Sequence, residues 1–227
     1  MDRARQLAEF GFRDVVVRAD LQRRGRGRLG GRSWLSDRGD SLLVTLVLGP
    51  ASSGLAGDSG PVSIRVGLAL AGWLDQLGVS ARIKWPNDLL VRERKIAGVL
   101  VERSDRWCLV GIGLNVRQFR FEAASLRNDA TSVFLETGAL FEPSELVAPL
   151  LNALHRELSI WPGSSDWRRR LLSRLWPANR RAHHSALGSV EILSVMPDGS
   201  LLVLTLEGKR SISSGSLSRS AVGASDA

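Results

Sequence analysis

The chain has 227 residues, a net charge of +8 and 44% hydrophobic residues, enough for one catalytic domain with a small appendage. No apolar run approaches the roughly 20 residues that a bilayer span needs, and the mixed, charged N-terminus has no signal-peptide core. A single cysteine, Cys108, excludes an internal disulfide framework and a cysteine-based metal site, so a cytoplasmic protein is expected. The basic balance permits nucleic-acid binding and equally suits an enzyme that handles anionic substrates.

Met1 to Phe10 carries Leu7 and Phe10 at helical spacing, with Gly11 as a C-terminal stop. Asp14 to Val17 begins a strand. Leu21 to Trp34, LQRRGRGRLGGRSW, follows. Gly25, Gly27, Gly30 and Gly31 make this loop flexible, and Arg23, Arg24, Arg26, Arg28 and Arg32 make it strongly positive. Arginine holds phosphate bidentately and glycine lets backbone N–H groups approach, so anion binding is the plain physical reading. A disordered RG-rich segment that touches RNA remains the alternative.

Leu42 to Leu48 reads as a strand, Ala51 to Pro61 as a loop, and Val62 to Leu77 as a helix ended by Gly78. Val79 to Ile83 leads into IKWPNDLLVRERKIAGVLVE, residues 83 to 102. This stretch holds two of the three lysines in the chain, Lys84 and Lys95. In so Arg-rich a chain, a lysine suggests a position where the wide guanidinium fork does not fit and a compact ammonium meets one carboxylate or phosphate oxygen. Pro86 and Asn87-Asp88 mark a turn. Arg92 to Lys95 is a charged hairpin tip, and Ile96 to Val101 is an apolar run around Gly98. We expect strand, turn, strand, with Lys84 and Lys95 entering one pocket from adjacent strands.

Trp107 to Val110 is a further strand, with Cys108 a buried thiol. Gly111-Ile112-Gly113-Leu114-Asn115 follows; it lacks the third glycine of a dinucleotide fingerprint, and alternating glycines in a strand mark close approach by a ligand or another backbone. Asp129-Ala130-Thr131-Ser132 reads as a polar loop or helix cap. Helices are expected over 143–158 and 161–175, and a linker over 177–186. His155, His183 and His184 show no metal spacing. Residues 188–217 read as three short strands with turns at Asp198-Gly199 and Glu207-Gly208. Such a meander is too small to be stable alone and should pack on the larger domain. Residues 218–227 read as a disordered tail.

These stretches together resemble biotin protein ligases, which join biotin to carboxylase carrier domains. The hairpin matches their KWPND and RKIAG signatures. The loop is similar to their GRGRxGRxW motif at Gln22, Gly25, Arg26, Gly27, Arg28, Arg32 and Trp34, with an extra glycine before Arg32 and Arg23-Arg24 in place of small residues. The strand matches their GIGxN and residues 130–132 their ATS. The resemblance implies an α+β fold: a mixed β-sheet flanked by helices, of the class II synthetase-like biotin–lipoate ligase type, followed by a small SH3-like β-barrel. It places a catalytic domain at 1–180 and a small β domain at 186–217.

The chemistry implied is ATP-dependent formation of biotinyl-5'-AMP, then transfer to a lysine of a biotin carboxyl carrier protein. Lys95 and Arg28 are the implied catalytic residues. Biotin and adenylate contacts fall on Gln22, Gly25, Arg26, Gly27, Arg28, Trp34, Lys95, Gly98, Gly111 and Gly113. Nucleotide contacts fall on Lys84, Asn87, Asp88, Asn115, Ala130, Thr131 and Ser132. No metal is bound directly; Mg²⁺ arrives with ATP, and Asp88 can help place it. The resemblance further implies a loop that is disordered without ligand and closes over the adenylate. Asn87 also reads as a residue that fixes the turn.

The family's Ser-Thr-Asn stretch, which hydrogen-bonds the biotin ureido ring, would lie upstream of Met1. Each unmade buried bond costs roughly 1–3 kcal/mol, so weak biotin binding is expected unless the true start lies further upstream. An N-terminal DNA-binding domain and specific DNA binding are not expected, nor is a membrane. A homodimer through a sheet edge is allowed. The competing readings are a lipoate- or octanoate-type ligase, a degenerate ligase with impaired turnover, and an Arg-rich nucleic-acid module.

Overall fold

The computed structural model describes residues 1–28, 34–49, 60–121, 129–159 and 166–219. The larger sheet has seven strands in the order β1-β2-β6-β5-β4-β3-β7. They are β1 (Val15–Ala19), β2 (Ser41–Leu48), β3 (Arg82–Lys84), β4 (Asp88–Val91), β5 (Arg94–Arg103), β6 (Cys108–Asn115) and β7 (Leu175–Trp176). All pairs are antiparallel except β3 with β7, which makes the sheet mixed.

β2 carries an almost unbroken apolar run because both of its faces are covered. Leu42, Val44 and Leu46 share a core cluster with Val62, Val66, Leu70 and Trp73 of α2 (Gly60–Gln76) and Leu150 and Leu154 of α4 (Val147–Leu158). On its other face Val47 packs with Leu109 under Ala4 and Ala8 of α1 (Asp2–Glu9). Gly11 and Gly78 follow α1 and α2 at φ +92° and +78°, the left-handed conformation that glycine adopts without penalty. α3 (Val133–Thr137) is a short helix capped by Ser132, whose Oγ accepts from the Leu135 N–H at 3.1 Å.

The second sheet, β11-β10-β9-β8-β12, is antiparallel throughout. It comprises β8 (Arg181–His184), β9 (Gly188–Val195), β10 (Leu201–Thr205), β11 (Gly208–Ile212) and β12 (Leu217–Arg219). Val190, Ile192, Leu201 and Val203 pack with Trp167 and Leu171 of α5 (Asp166–Arg174) and with Ile64 and Leu68 of α2, so the meander does rest on the larger unit. The Trp85 indole N–H donates to the Gly199 carbonyl at 2.9 Å and pins the KWPND turn to this sheet.

Several sequence expectations are corrected. Arg181–His184, expected in a linker, form β8, and Ser218 and Arg219, expected in the tail, belong to β12. Both segments have too few apolar residues to register as strands; β8 forms by pairing with β9 and β12, and β12 by pairing with β8. The sheet is open among the described residues, because its end strands β11 and β12 do not pair, so no closed barrel forms. Residues 143–146 precede α4 instead of opening it, and Leu175, expected to end the second helix, joins Trp176 in extending the main sheet. Residues 220–227 and the loop glycines Gly30 and Gly31, with Arg32, lie outside the described residues. Cys108 is buried as expected, and burial pushes its thiol up to about 11.

α2, α4 and α5 are tied by a buried charge cluster. Glu157 accepts two bonds from Arg170, each 2.8 Å, and lies 3.9 Å from Arg65, which is 3% exposed. Burial lowers the Arg65 pKa and Glu157 opposes that shift. Glu157→Ala removes this carboxylate from beside a buried guanidinium and should cost about 3–5 kcal/mol in chemical denaturation. The double variant Arg65→Met/Glu157→Leu should recover most of that loss.

Candidate active site

The register of the central strands places Gly113, Gly98, Asp88, Lys84 and Trp176 in one row across β6, β5, β4, β3 and β7. Directly paired residues share a sheet face, so this row lies opposite the α2–α4 core. Gly111 is two residues from Gly113 and lies on the same face. The three glycines leave a floor without side chains. A Cβ at Gly113 would stand 2.9–3.0 Å from the Trp34 ring, and one at Gly111 would stand 2.7 Å from the Met1 sulfur. Trp34 and Met1 therefore lie on this floor.

Lys95 reaches the same face through an irregularity. Leu89 pairs with Ala97, but Leu90 pairs with Lys95, so Ile96 is an extra residue in β5. Strict alternation would put Lys95 on the face of Ala97, in the core. The bulge buries Ile96 and Ala97 together and turns Lys95 over to the glycine side. Its ammonium lies 2.7 Å from Asp88 Oδ1 and 5.7 Å from the centre of a Trp34 ring. Gly98 permits this arrangement, since a Cβ there would lie 3.2 Å from Lys95 Nζ and 3.4 Å from Asp88 Oδ1.

Lys84 shares the face but not an adjacent strand, because β4 lies between β3 and β5. The hairpin of the sequence reading is thus three strands: KWPND closes β3 onto β4, and the Arg92-Glu93 turn closes β4 onto β5. The Lys84 ammonium sits 5.1 Å from the centre of a Trp176 ring. Trp176 donates to Glu93 at 2.9 Å, and Arg219 pairs with the other oxygen of Glu93 at 3.1 Å. These bonds and Lys84 itself pull the Glu93 pKa down against the effect of burial.

The described loop residues reach opposite ends of the floor. Gly25 is packed tightly against Trp34, whose backbone N–H donates to the Gly25 carbonyl at 3.2 Å, with Gln22 alongside. Arg26 pairs with Asp2 and stands near Glu102. Arg28, two residues on from Arg26 across Gly27, donates to the Gly215 carbonyl at 2.6 Å and to Asn87 Oδ1 at 3.3 Å. Asn87 also holds the turn, exchanging its backbone carbonyl and side-chain amide with Val99 at 2.8 and 3.0 Å.

Asn115, Ala130, Thr131 and Ser132 come together, but inside the protein, at 5%, 6%, 0% and 0% exposure. Asn115 donates to the Thr131 carbonyl at 2.9 Å, and Thr131 Oγ1 donates to Glu136 at 2.6 Å. Glu136, which sequence reasoning missed, also pairs with Arg94 at 2.7 Å. A Glu one helical turn from a capping Ser-Thr pair was the available signal. Among the described residues no cluster of three or more His, Cys, Asp or Glu could hold a metal, and no helix is long and apolar enough to cross a membrane.

The Trp34 indole N–H is buried without a hydrogen-bond partner among the described residues, a costly state for a donor. Gly113→Ala should press the ring off the floor. In amide- and indole-detected NMR, the Trp34 indole proton of that variant should exchange faster with solvent, while the signals of the other tryptophans stay unchanged.

Comparison with known proteins agrees with this fold. Residues 13–117 match the model of the "Biotin/lipoate A/B protein ligase family". The chain is 34% identical over 167 residues to the bifunctional ligase/repressor BirA of Escherichia coli, covering 69% of this chain and 49% of that one. It is 38% identical over 154 residues to the biotin–[acetyl-CoA-carboxylase] ligase of Paracoccus denitrificans, covering 62% and 61%. The chain thus spans about half the length of the first of these relatives. Among solved structures, the biotin protein ligase from Aquifex aeolicus in complex with biotin and ATP superposes with a TM-score of 0.81 at 28% identity, covering 95% of this chain and 93% of that one. Fold, glycine-floored face and sequence match lead to one conclusion: residues 13–117 carry a domain of the biotin/lipoate A/B protein ligase family.

Proposed function

We propose that the protein activates biotin with ATP as biotinyl-5'-AMP and transfers it to a lysine of a biotin carboxyl carrier domain. The observation that carries this reading is the Lys95 ammonium, turned by the Ile96 bulge onto a glycine floor beside Asp88. A flat, side-chain-free floor suits a fused-ring acid, and a single ammonium at its end suits the acid's carboxylate.

Biotin's carboxylate is a poor electrophile. Its oxygen attacks the ATP α-phosphate, pyrophosphate leaves, and the mixed anhydride is then open to a carrier amine, with AMP leaving. No enzyme nucleophile is needed. The protein must hold two anions together and exclude water. Lys95 would exchange Asp88 for the substrate carboxylate. Trp34 would move from the floor to become an aromatic wall of the bound acid, which also frees its indole N–H from an unpartnered burial. Lys84 and Arg28 lie toward the phosphate end, and Arg26 completes the adenylate contacts. Asp88 is a carboxylate at that end of the face. It suits Mg²⁺ arriving with ATP, since this ion takes phosphate oxygens and one or two carboxylates and would neutralise their charge.

The Arg-rich nucleic-acid reading is less well supported. Arg26 and Arg28 are engaged by Asp2, Asn87 and Gly215 instead of forming an open basic stripe. Labelled biotin incubated with an apo carrier domain should label the carrier only when ATP is present. ATP-independent, salt-sensitive RNA binding without carrier labelling would replace this function with the other. Lys95→Met should keep the fold and lower kcat/KM for biotin by roughly 10²–10³-fold, the cost of removing one preorganised group from a developing charge.

A further inference from the structure

We propose that Thr131 and Glu136 are positioning residues for Lys95, acting through its main chain and not through contact with the nucleotide. This rests on the reading above that Lys95 meets the acid substrate.

The ladder between β5 and β6 stops at the Ala97–Leu114 pair, so at Lys95, which pairs with Leu90 of β4, the other edge of β5 has no β6 partner. The Asp129–Thr131 segment takes that place. The Lys95 N–H donates to the Asp129 carbonyl at 2.7 Å, and the Thr131 N–H donates to the Lys95 carbonyl at 2.9 Å. Lys95 and Ala130 thereby form an isolated parallel bridge. Thr131 of this segment is itself held at each of its polar atoms. The Thr131 carbonyl accepts from Asn115, and its hydroxyl donates to Glu136 at 2.6 Å. The Glu136 side chain is 4% exposed and pairs with Arg94, the residue before Lys95. The chain of bonds closes a ring: Lys95 to Thr131, Thr131 to Glu136, Glu136 to Arg94, and back along the strand to Lys95.

Thr131 is fully buried and its N–H, carbonyl and hydroxyl are all satisfied within the protein. It has no surface left with which to touch a ligand. What it can do is fix where the bulge stands, and with it the height of the Lys95 ammonium over Gly98. The Glu136 oxygen that accepts from Thr131 also pairs with Arg94, so it ties the residue before Lys95 to the same segment and opposes a return to regular register, which would carry Lys95 into the core.

The test uses three variants of the full chain. Thr131→Val keeps the shape and removes the hydroxyl, Thr131→Ser keeps the hydroxyl, and Glu136→Gln keeps an acceptor but removes the charge that holds Arg94. Thr131→Val should raise the KM for biotin about five- to tenfold, the size of one lost hydrogen bond, with the KM for ATP unchanged. Thr131→Ser should restore the parental value, and Glu136→Gln should shift the biotin KM in the same direction as Thr131→Val. Independently of activity, hydrogen exchange at the Lys95 amide should speed up in Thr131→Val and Glu136→Gln but not in Thr131→Ser. A raised KM for ATP with an unchanged KM for biotin would make Thr131 a nucleotide contact and overturn the proposal. So would unchanged Lys95 exchange in both Thr131→Val and Glu136→Gln. If the parent chain activates no biotin, the proposed function fails, while the exchange measurement still decides the positioning role.

Discussion

The site depends on one extra residue in a strand. A regular β5 would point Lys95 and Ala97 to the same face and bury a charge in an apolar core, at a cost of many kcal/mol. Ile96 as a bulge residue resolves this. It takes the core position, and Lys95 turns to the face where the glycines lie. Everything else at the site follows from that reversal. Gly98 must lack a side chain to leave room for the ammonium, Asp88 becomes its neighbour across the ladder, and Trp34 closes over both.

The face is organised by charge as well as by space. Three of its cations are placed beside an acid or an aromatic ring, Lys95 by Asp88 and Trp34, Lys84 by Trp176 and Glu93, Arg26 by Asp2 and Glu102, and Arg28 meets the Asn87 and Gly215 oxygens. In a chain of net charge +8, this keeps the groove from being a region of unbalanced positive potential. An incoming anion must displace a carboxylate or a ring to win its cation. Such exchange lowers affinity for any anion that makes only one contact. It favours a ligand that engages several cations together, as a joined acid and nucleotide would.

Much of this was legible in the residues. The helices over 62–77 and near 1–10 and the strands at 42–48 and 107–110 follow from period and from the positions of Gly11 and Gly78, and the packing of the C-terminal meander follows from its small size. The bulge was not legible. KIAGVLV reads as a simple apolar run, and periodicity cannot say which residue of such a run is the extra one. The pairing of β4 with β5 decides that. β8 and β12 were hidden for a related reason: RAHH and LSR have no strand pattern of their own and exist only as partners. Thr131 was read only as a nucleotide contact and Glu136 was missed, because the bonds that tie them to Lys95 run through main chain and second neighbours, which become visible only once the segments are brought together.

The choice of lysine in an arginine-rich chain now has a physical cause. The space around the residue 95 side chain is bounded by the Gly98 backbone, the Asp88 carboxylate and the Trp34 ring, with a hypothetical Cβ at Gly98 only 3.2 Å from the ammonium. A guanidinium is wider, planar and tied to a bidentate geometry. On Asp88 it would form a fork-to-fork pair that an incoming carboxylate could displace only by breaking two bonds at once. An ammonium makes single-point bonds, can turn about its stem, and has three donors. It can release Asp88 and take a substrate oxygen without leaving the floor, which is the property that a group exchanging partners during a reaction must have.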